Sequence, residues 1–155
     1  MITRYIKDNI CETELDYIAH GVNCQNVMGS GVAKALFIKW PKVKESYHLY
    51  MDTYIPECPK GGKDFLGFVD AVEVDDTKKV VFNCWTQENF GPADKQYVDY
   101  NAVKECFTIL TRHYNLSKLA IPKIGCGLAG GNWNIVSALI DEITGDDLEV
   151  WVYYI

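Results

Sequence analysis

The sequence is most informative first in what it lacks. No apolar run approaches the roughly 20 residues that a membrane-spanning helix requires, which excludes helical membrane insertion. The opening Met1-Ile2-Thr3-Arg4-Tyr5-Ile6-Lys7 has no long apolar stretch and no cleavage pattern, so no signal peptide is expected. The cysteines Cys11, Cys24, Cys58, Cys84, Cys106 and Cys126 form no CxxC pair and no Cys/His group at zinc spacing, so no metal is expected. Their spacing is not that of a compact disulfide framework. They read as free thiols, most of them small buried apolar residues, and imply a cytoplasmic protein. Basic residues are too few, 15 against 21 acidic, for a duplex-DNA binder that relies on neutralising phosphates. The net charge of −6 does not exclude a small anionic ligand, because at physiological salt distant carboxylates are screened beyond about 8 Å. Repeats, low-complexity segments and linkers are absent, so residues 1–155 are expected to be a single domain, and nothing requires more than a monomer.

What remains is average globular composition, 48% hydrophobic and 23% charged. A chain of this length buries roughly 68–70% of its unfolded surface and sustains its own core. Strand and helix patterns alternate along it. Ile2 to Ile6 and Tyr17 to Val22 read as strands. The polar stretch Asn23-Cys24-Gln25-Asn26-Val27-Met28-Gly29-Ser30-Gly31 breaks regular structure, and a helix begins near Val32. Pro41 suits the first turn of a second helix with Val43, Tyr47 and Tyr50 on one face. Pro56, Pro59, Gly61 and Gly62 mark a surface loop. Phe65 to Val74 and Lys79 to Trp85 are β-rich runs that read as a hairpin across Asp75-Asp76-Thr77-Lys78. After the loop Asn89 to Lys95, Val98 to Tyr114 reads as a long helix, and Lys118 to Pro122 as a short buried strand. Asn132 is placed to cap a helix from Trp133 to Ile143, Gly145 ends it, and Leu148 to Tyr154 is the last strand. The order β-β-α-α-β-β-α-β-α-β predicts one mixed sheet with helices on its faces.

A strand–loop–helix unit occurs twice, each time with glycines in the loop. Glycine lets backbone N–H groups approach a ligand closely, and a helix N-terminus adds about half a positive charge. Two such loops suit a diphosphate held between them. Neither loop is a Walker A motif. Gly125, Gly127 and Gly130 fit the letters of a dinucleotide fingerprint, but the acidic ribose ligand and the βαβ context are missing. Taken alone, the second loop is equally a tight turn that permits close helix–sheet packing.

Val22-Asn23-Cys24-Gln25-Asn26-Val27-Met28-Gly29-Ser30-Gly31-Val32-Ala33 resembles the first ligand loop of the macrodomains. Ile121-Pro122-Lys123-Ile124-Gly125-Cys126-Gly127-Leu128-Ala129-Gly130-Gly131-Asn132-Trp133 resembles their second. The resemblance runs from Ile6-Lys7-Asp8-Asn9-Ile10 to Val152-Tyr153-Tyr154-Ile155 and implies a three-layer α/β/α macrodomain that binds ADP-ribose. The chain is most similar to the branch of short domains that includes ADP-ribose-1″-phosphate phosphatases and the glycohydrolase that removes terminal ADP-ribose from acidic side chains. By this resemblance Asn9 and Ile10 lie at the adenine, with Asn9 where many members carry an aspartate. Asp8 replaces a glycine, for which there is no physical account. Asn23 and Asn26 match residues facing the distal ribose. Gly29, Ser30, Gly31 and Val32 match the first phosphate loop, and Gly125, Cys126, Gly127, Leu128 and Ala129 match the second. Tyr154 and Ile155 close the adenine pocket.

The lysine nucleophile and assisting aspartate of the terminal glycohydrolase fall at Gln87 and Ala129, which can neither form a Schiff base nor move a proton. His20 instead lies where the phosphatase branch carries a functional histidine. It is either the nucleophile or general acid of that reaction or a buried histidine satisfied by backbone. His48 and His113 read as solvent-facing. Cys24 and Cys126 read as packing residues before nucleophiles, Glu88 and Asp94 as secondary carboxylate candidates, and Phe90 as either core or a stacking surface. Trp133 reads as packing under the second loop. The expected activity is hydrolysis of ADP-ribose-1″-phosphate to ADP-ribose and phosphate, without a cofactor. The alternatives are removal of ADP-ribose from a modified protein or nucleic acid and a non-catalytic ADP-ribose reader. The expected partners are ADP-ribose or its 1″-phosphate, or an ADP-ribosylated macromolecule.

Overall fold

The computed structural model of the chain describes residues 1–75, 77–92 and 94–155. Asp76 of the expected hairpin turn and Ala93 of the expected loop lie outside them. Six strands form one sheet: β1 (Ile2–Lys7), β2 (Tyr17–Asn23), β3 (Val69–Glu73), β4 (Val80–Gln87), β5 (Lys118–Ile121) and β6 (Glu149–Tyr154). Four helices accompany them: α1 (Gly31–Lys39), α2 (Lys42–Tyr54), α3 (Tyr100–Arg112) and α4 (Trp133–Thr144). The sheet order is β1-β6-β5-β2-β4-β3. Five strands run parallel, and only the edge strand β3 is antiparallel to its neighbour β4. The mixed α/β sheet is the one the element order predicts.

Strand alternation sorts the core into two layers. Ile18 and Val22 of β2, Val81 and Trp85 of β4 and Tyr153 of β6 face one side, where they pack with Leu36 of α1 and Val43, Tyr47 and Met51 of α2. Ala19, Phe82, Cys84, Leu119, Ile121, Val150 and Val152 face the other, against Val103, Cys106, Phe107 and Leu110 of α3 and Val136 and Ile140 of α4. This is the expected three-layer arrangement. Among the described residues no helix is long and apolar enough to cross a membrane.

Element ends follow local chemistry. The expected β-run from Phe65 loses its first residues because Gly61–Phe65 winds into a 3-10 turn and Gly67 adopts φ +90, so the strand starts at Val69. At Gly67 any Cβ would overlap the Glu105 carboxylate. Helix α3 starts two residues later than expected. Val98 bridges to Gln87, and the Asp99 carboxylate accepts the Ala102 amide at 2.9 Å as N-cap. Asn132 caps α4 as its position suggests, accepting the Asn134 amide at 2.9 Å, and Gly145 ends that helix at φ +45. A short 3-10 turn at Ile10–Glu12, capped by Asn9, is not legible in the hydrophobic pattern.

Candidate functional site

Because β1, β2, β4, β5 and β6 are parallel, their C-terminal ends meet on one edge of the sheet. Ligands of open α/β sheets bind there. A cavity of about 790 Å3 occupies this edge, within the usual range for small-ligand sites. Each parallel strand contributes: Asp8, Asn9 and Ile10 follow β1, Asn23 ends β2, Gln87 ends β4, the 122–129 loop follows β5, and Tyr154 ends β6 with Ile155 after it.

The two glycine loops face this cavity. Gly29, Ser30, Gly31 and Val32 lead into α1, whose N-cap Ser30 is extended (φ −145, ψ 167) and makes no side-chain cap bond. The first backbone bond of that turn is Lys34 N–H to the Ser30 carbonyl at 3.2 Å, so the Val32 and Ala33 amides are free. In the second loop the Cys126 amide turns back to the Lys123 carbonyl at 3.1 Å and the Gly131 amide to the Gly125 carbonyl at 2.7 Å. Among the described residues no acceptor serves the amides of Gly127, Leu128 or Ala129. Unpaired N–H groups in facing loops, one at a helix N-terminus, form an anion cradle. Lys123 and Asp8 are the charged residues lining the cavity.

Close packing holds the second loop in shape. Gly125 (φ +74) lies against Val98, and Gly130 (φ +71) lies against the Lys95 carbonyl, which a Cβ would overlap. By contrast, a Cβ at Gly29 or Gly127 would meet nothing in the protein, so those two positions leave room for a ligand.

The first loop is held by Tyr47 of α2. Its hydroxyl donates to the Asn23 carbonyl at 2.8 Å and to Asn23 Oδ1 at 2.9 Å, and it accepts the Val27 amide at 3.1 Å. Burial pushes the phenol well above its ordinary range, so it remains a donor. Asn23 lines the cavity, but its carboxamide is already used. Oδ1 accepts from Gln25 N–H and Tyr47, and Nδ2 donates to the Val27 carbonyl at 2.7 Å.

Asn26 departs from expectation. It adopts φ +61, lies outside the cavity lining, and turns its carboxamide toward α2. There Nδ2 donates to Asp52 Oδ1 at 2.8 Å, and Oδ1 pairs with His48 Nδ1 at 2.7 Å. Its polar atoms are satisfied by the helix, so it shapes the loop and does not face a ribose. The same pair explains why His48 is half-buried where a solvent-facing residue was expected, whereas His113 is exposed. Trp133, expected beneath the second loop, is partly buried against the core layer that includes Ile124 and Ala129, and donates its indole N–H to the Tyr5 hydroxyl at 3.2 Å.

His20 lines the cavity but is only 1% exposed. Its Nε2 lies 2.5 Å from Oδ1 of Asn83, the residue paired with it in register on β4. Burial depresses the imidazole to about 4, against a partial lift from the Asn83 bond, so the ring is neutral at pH 7. A neutral ring whose one N–H is committed to Asn83 has no proton to give, and the general-acid role expected of His20 does not fit. The thiols are no better activated. Burial pushes Cys126 up to about 11 and Cys24 up to about 12, and the Cys126 thiol donates to the Ile124 carbonyl at 3.3 Å. Among the described residues, no cluster of His, Cys, Asp and Glu is arranged to hold a metal ion.

Gln87, Phe90 and Gly91 also line the cavity, and Phe90, like Leu128 of the second loop, is exposed. Asn83 is the residue the sequence reading passed over. Its signal was a carboxamide inside the apolar run Val80-Val81-Phe82-Asn83-Cys84-Trp85, directly across the sheet from the one histidine on a strand.

The fold and the two-loop cavity define an α/β domain whose sheet edge presents unpaired backbone amides to a cavity. Comparison supplies the family. No family model matches the chain. It is 33% identical over 150 residues to an uncharacterised 17.5 kDa protein of the tk–vs intergenic region of Enterobacteria phage T4, covering 91% of this chain and 89% of that one. It is 25% identical over 144 residues to an ADP-ribose 1″-phosphate phosphatase of Lodderomyces elongisporus, covering 87% and 85%. It is 27% identical over 141 residues to a DNA ADP-ribosyl glycohydrolase of Mycobacterium bovis, covering 88% of this chain but only 36% of that longer protein. Among solved structures, a macrodomain protein of Streptomyces coelicolor superposes with a TM-score of 0.78 at 25% identity, covering 100% and 99% of the two chains. The chain belongs to the macrodomain family.

Proposed function

We propose that the cavity binds ADP-ribose and that the domain hydrolyses ADP-ribose-1″-phosphate to ADP-ribose and phosphate. The observation that carries this reading is the pair of facing glycine loops with unpaired amides, one of them at the N-terminus of α1. A diphosphate between Gly29–Val32 and Gly125–Ala129 would take hydrogen bonds from these amides, with Asn9, Ile10 and Tyr154 lining the same cavity for the adenine. The similarity to the fungal phosphatase over most of both chains supports the choice of substrate.

The chemistry follows from what the cavity offers. His20 is buried, its Nδ1 lone pair included, and the loop thiols are protonated, so this reading assigns the attack to water and not to a protein nucleophile. A glycosyl phosphate does not need one, because phosphate leaves readily from an anomeric carbon stabilised by the ring oxygen. Water adds its oxygen to C1″, the C1″–O bond breaks with its electron pair on phosphate, and the proton from water passes to the phosphate oxygen. The loop amides stabilise the departing charge without moving. Phosphate release in 18O-labelled water, with ADP-ribose binding followed by calorimetry, tests this. Release of unlabelled phosphate is expected. Label in the phosphate would put the attack at phosphorus, and no release with binding intact would sink the reading in favour of an ADP-ribose reader.

A second reading, removal of ADP-ribose from a modified macromolecule, is favoured by the exposed Phe90 and Leu128 of the cavity lining, where a bulky group beyond C1″ would emerge. The similarity to the mycobacterial glycohydrolase supports it, and Gln87 in place of a lysine weighs against it. Free ADP-ribose released from a modified oligonucleotide or protein would decide for it.

A further inference from the structure

Next to the cavity lies a buried polar pair that phosphate binding by the loops does not explain; His20 lines the cavity and Asn83 stands behind it. His20 and Asn83 are register partners on β2 and β4, both essentially without solvent exposure in an otherwise apolar layer. Burying two polar side chains there costs stability unless their hydrogen bonds are made. Asn83 makes both of its own. Nδ2 donates to the Val43 carbonyl in the first turn of α2 at 3.1 Å, and Oδ1 meets His20 Nε2 at 2.5 Å. A carbonyl can only accept, so the Val43 bond fixes which end of the carboxamide faces the histidine. Oδ1 can only accept as well, so the hydrogen of the neutral ring must sit on Nε2. His20 Nδ1 is then an unprotonated acceptor, buried and without any partner among the described residues, on a residue that lines the cavity.

We propose that Asn83 is a positioning residue that locks His20 in the Nε2–H tautomer, so that Nδ1 presents a fixed acceptor to a hydroxyl donor in the cavity, either a ribose hydroxyl of the ligand or the attacking water. The proposal rests on the ADP-ribose reading of the site. It gives His20 a role opposite to acid catalysis: the ring takes a hydrogen bond and supplies no proton. The influences on its basicity are burial and the Asn83 bond, with no charged group among them; burial outweighs the partial lift from Asn83 and keeps the acceptor available at neutral pH. The remaining buried orphans nearby, the Thr86 hydroxyl and the Trp85 indole N–H, carry or share a hydrogen, so His20 Nδ1 stands apart as a pure acceptor.

The test is long-range 15N–1H NMR of the three histidines in the full chain, with and without ADP-ribose. In the free protein His20 is expected as the Nε2–H tautomer at pH 7. Addition of ADP-ribose, or of ADP-ribose-1″-phosphate, is expected to shift Nδ1 in the direction of a newly accepted hydrogen bond. An Nδ1–H tautomer, or an Nδ1 resonance unmoved while backbone amides of the two loops shift, overturns the inference and leaves ADP-ribose binding intact. If no resonance moves, the binding reading itself fails, although the tautomer remains readable. Two variants separate the sources of the donor. Asn83→Leu is expected to weaken ADP-ribose binding about tenfold if a ribose hydroxyl is the donor, or to lower kcat about tenfold at unchanged KM if it is the water. Asn83→Asp keeps an acceptor opposite Nε2 but adds a charge that favours the imidazolium. Its defect is expected to be pH-reversible, present where NMR shows both ring nitrogens protonated and relieved at higher pH. A folded Asn83→Leu with wild-type binding and turnover, or a pH-independent defect in Asn83→Asp, would overturn the proposal.

Discussion

The Tyr47 hydroxyl lies 2.8 Å from the carbonyl and 2.9 Å from the Oδ1 of Asn23, so one phenol on α2 fixes both the main chain and the side chain where β2 becomes the first ligand loop. The ring stacks on Trp85 at a centroid distance of 5.6 Å and is fully buried, which leaves the hydroxyl little freedom to find other partners. Removing it orphans the Val27 amide and takes a donor from both Asn23 acceptors, leaving Oδ1 with the Gln25 amide alone. Tyr47→Phe is expected to lose about 1–2 kcal/mol of stability in urea denaturation and to weaken ADP-ribose binding in calorimetry. Wild-type affinity in this variant would show that the loop holds its shape without the phenol.

The glycines of the second loop separate structure from ligand contact. Gly130→Ala forces a side chain into a left-handed conformation and onto the Lys95 carbonyl, and is expected to cost more than about 1–3 kcal/mol. Gly127→Ala adds a methyl group into open space, so the melting temperature should stay near wild type while ADP-ribose affinity falls. Equal affinity of Gly127→Ala and wild type, by calorimetry, would place the ligand away from this loop.

His20 makes stability depend on pH. Its imidazole titrates at about 4 in the folded protein and near 6.5 when unfolded, so between these values the unfolded chain binds the extra proton. Stability is therefore at its full value above pH 6.5 and falls as pH drops toward 4, by about 3 kcal/mol from this residue. Denaturant midpoints measured across that window should decline, and His20→Gln should remove that part of the decline.

The loop thiols should be slow nucleophiles. With Cys126 at about 11 and Cys24 at about 12, alkylation of either by iodoacetamide should be negligible at pH 7 and should accelerate as the solution becomes strongly alkaline. Peptide mapping by mass spectrometry reads this site by site. Rapid modification of Cys126 at neutral pH would reopen it as a nucleophile.

Much of this protein was already written in local sequence. Period-2 runs such as Val80 to Trp85, the caps Asn132 and Gly145, and glycines interrupting two strand–helix units are short-range signals. They determined the element order, from which a mixed sheet follows, and the two glycine loops, because strand and helix periodicity, capping and turn formation depend on residues close in the chain. What a side chain does within the site depends on partners far away, and there only the tertiary structure decided. Asn26 looked like a ribose contact until His48 and Asp52 of α2 claimed its carboxamide. His20 looked like an acid until burial and Asn83, 63 residues away, made it a neutral acceptor. Hydrogen-bond partners and the loss of water set protonation and orientation, and both are fixed only when distant strands and helices close around the residue.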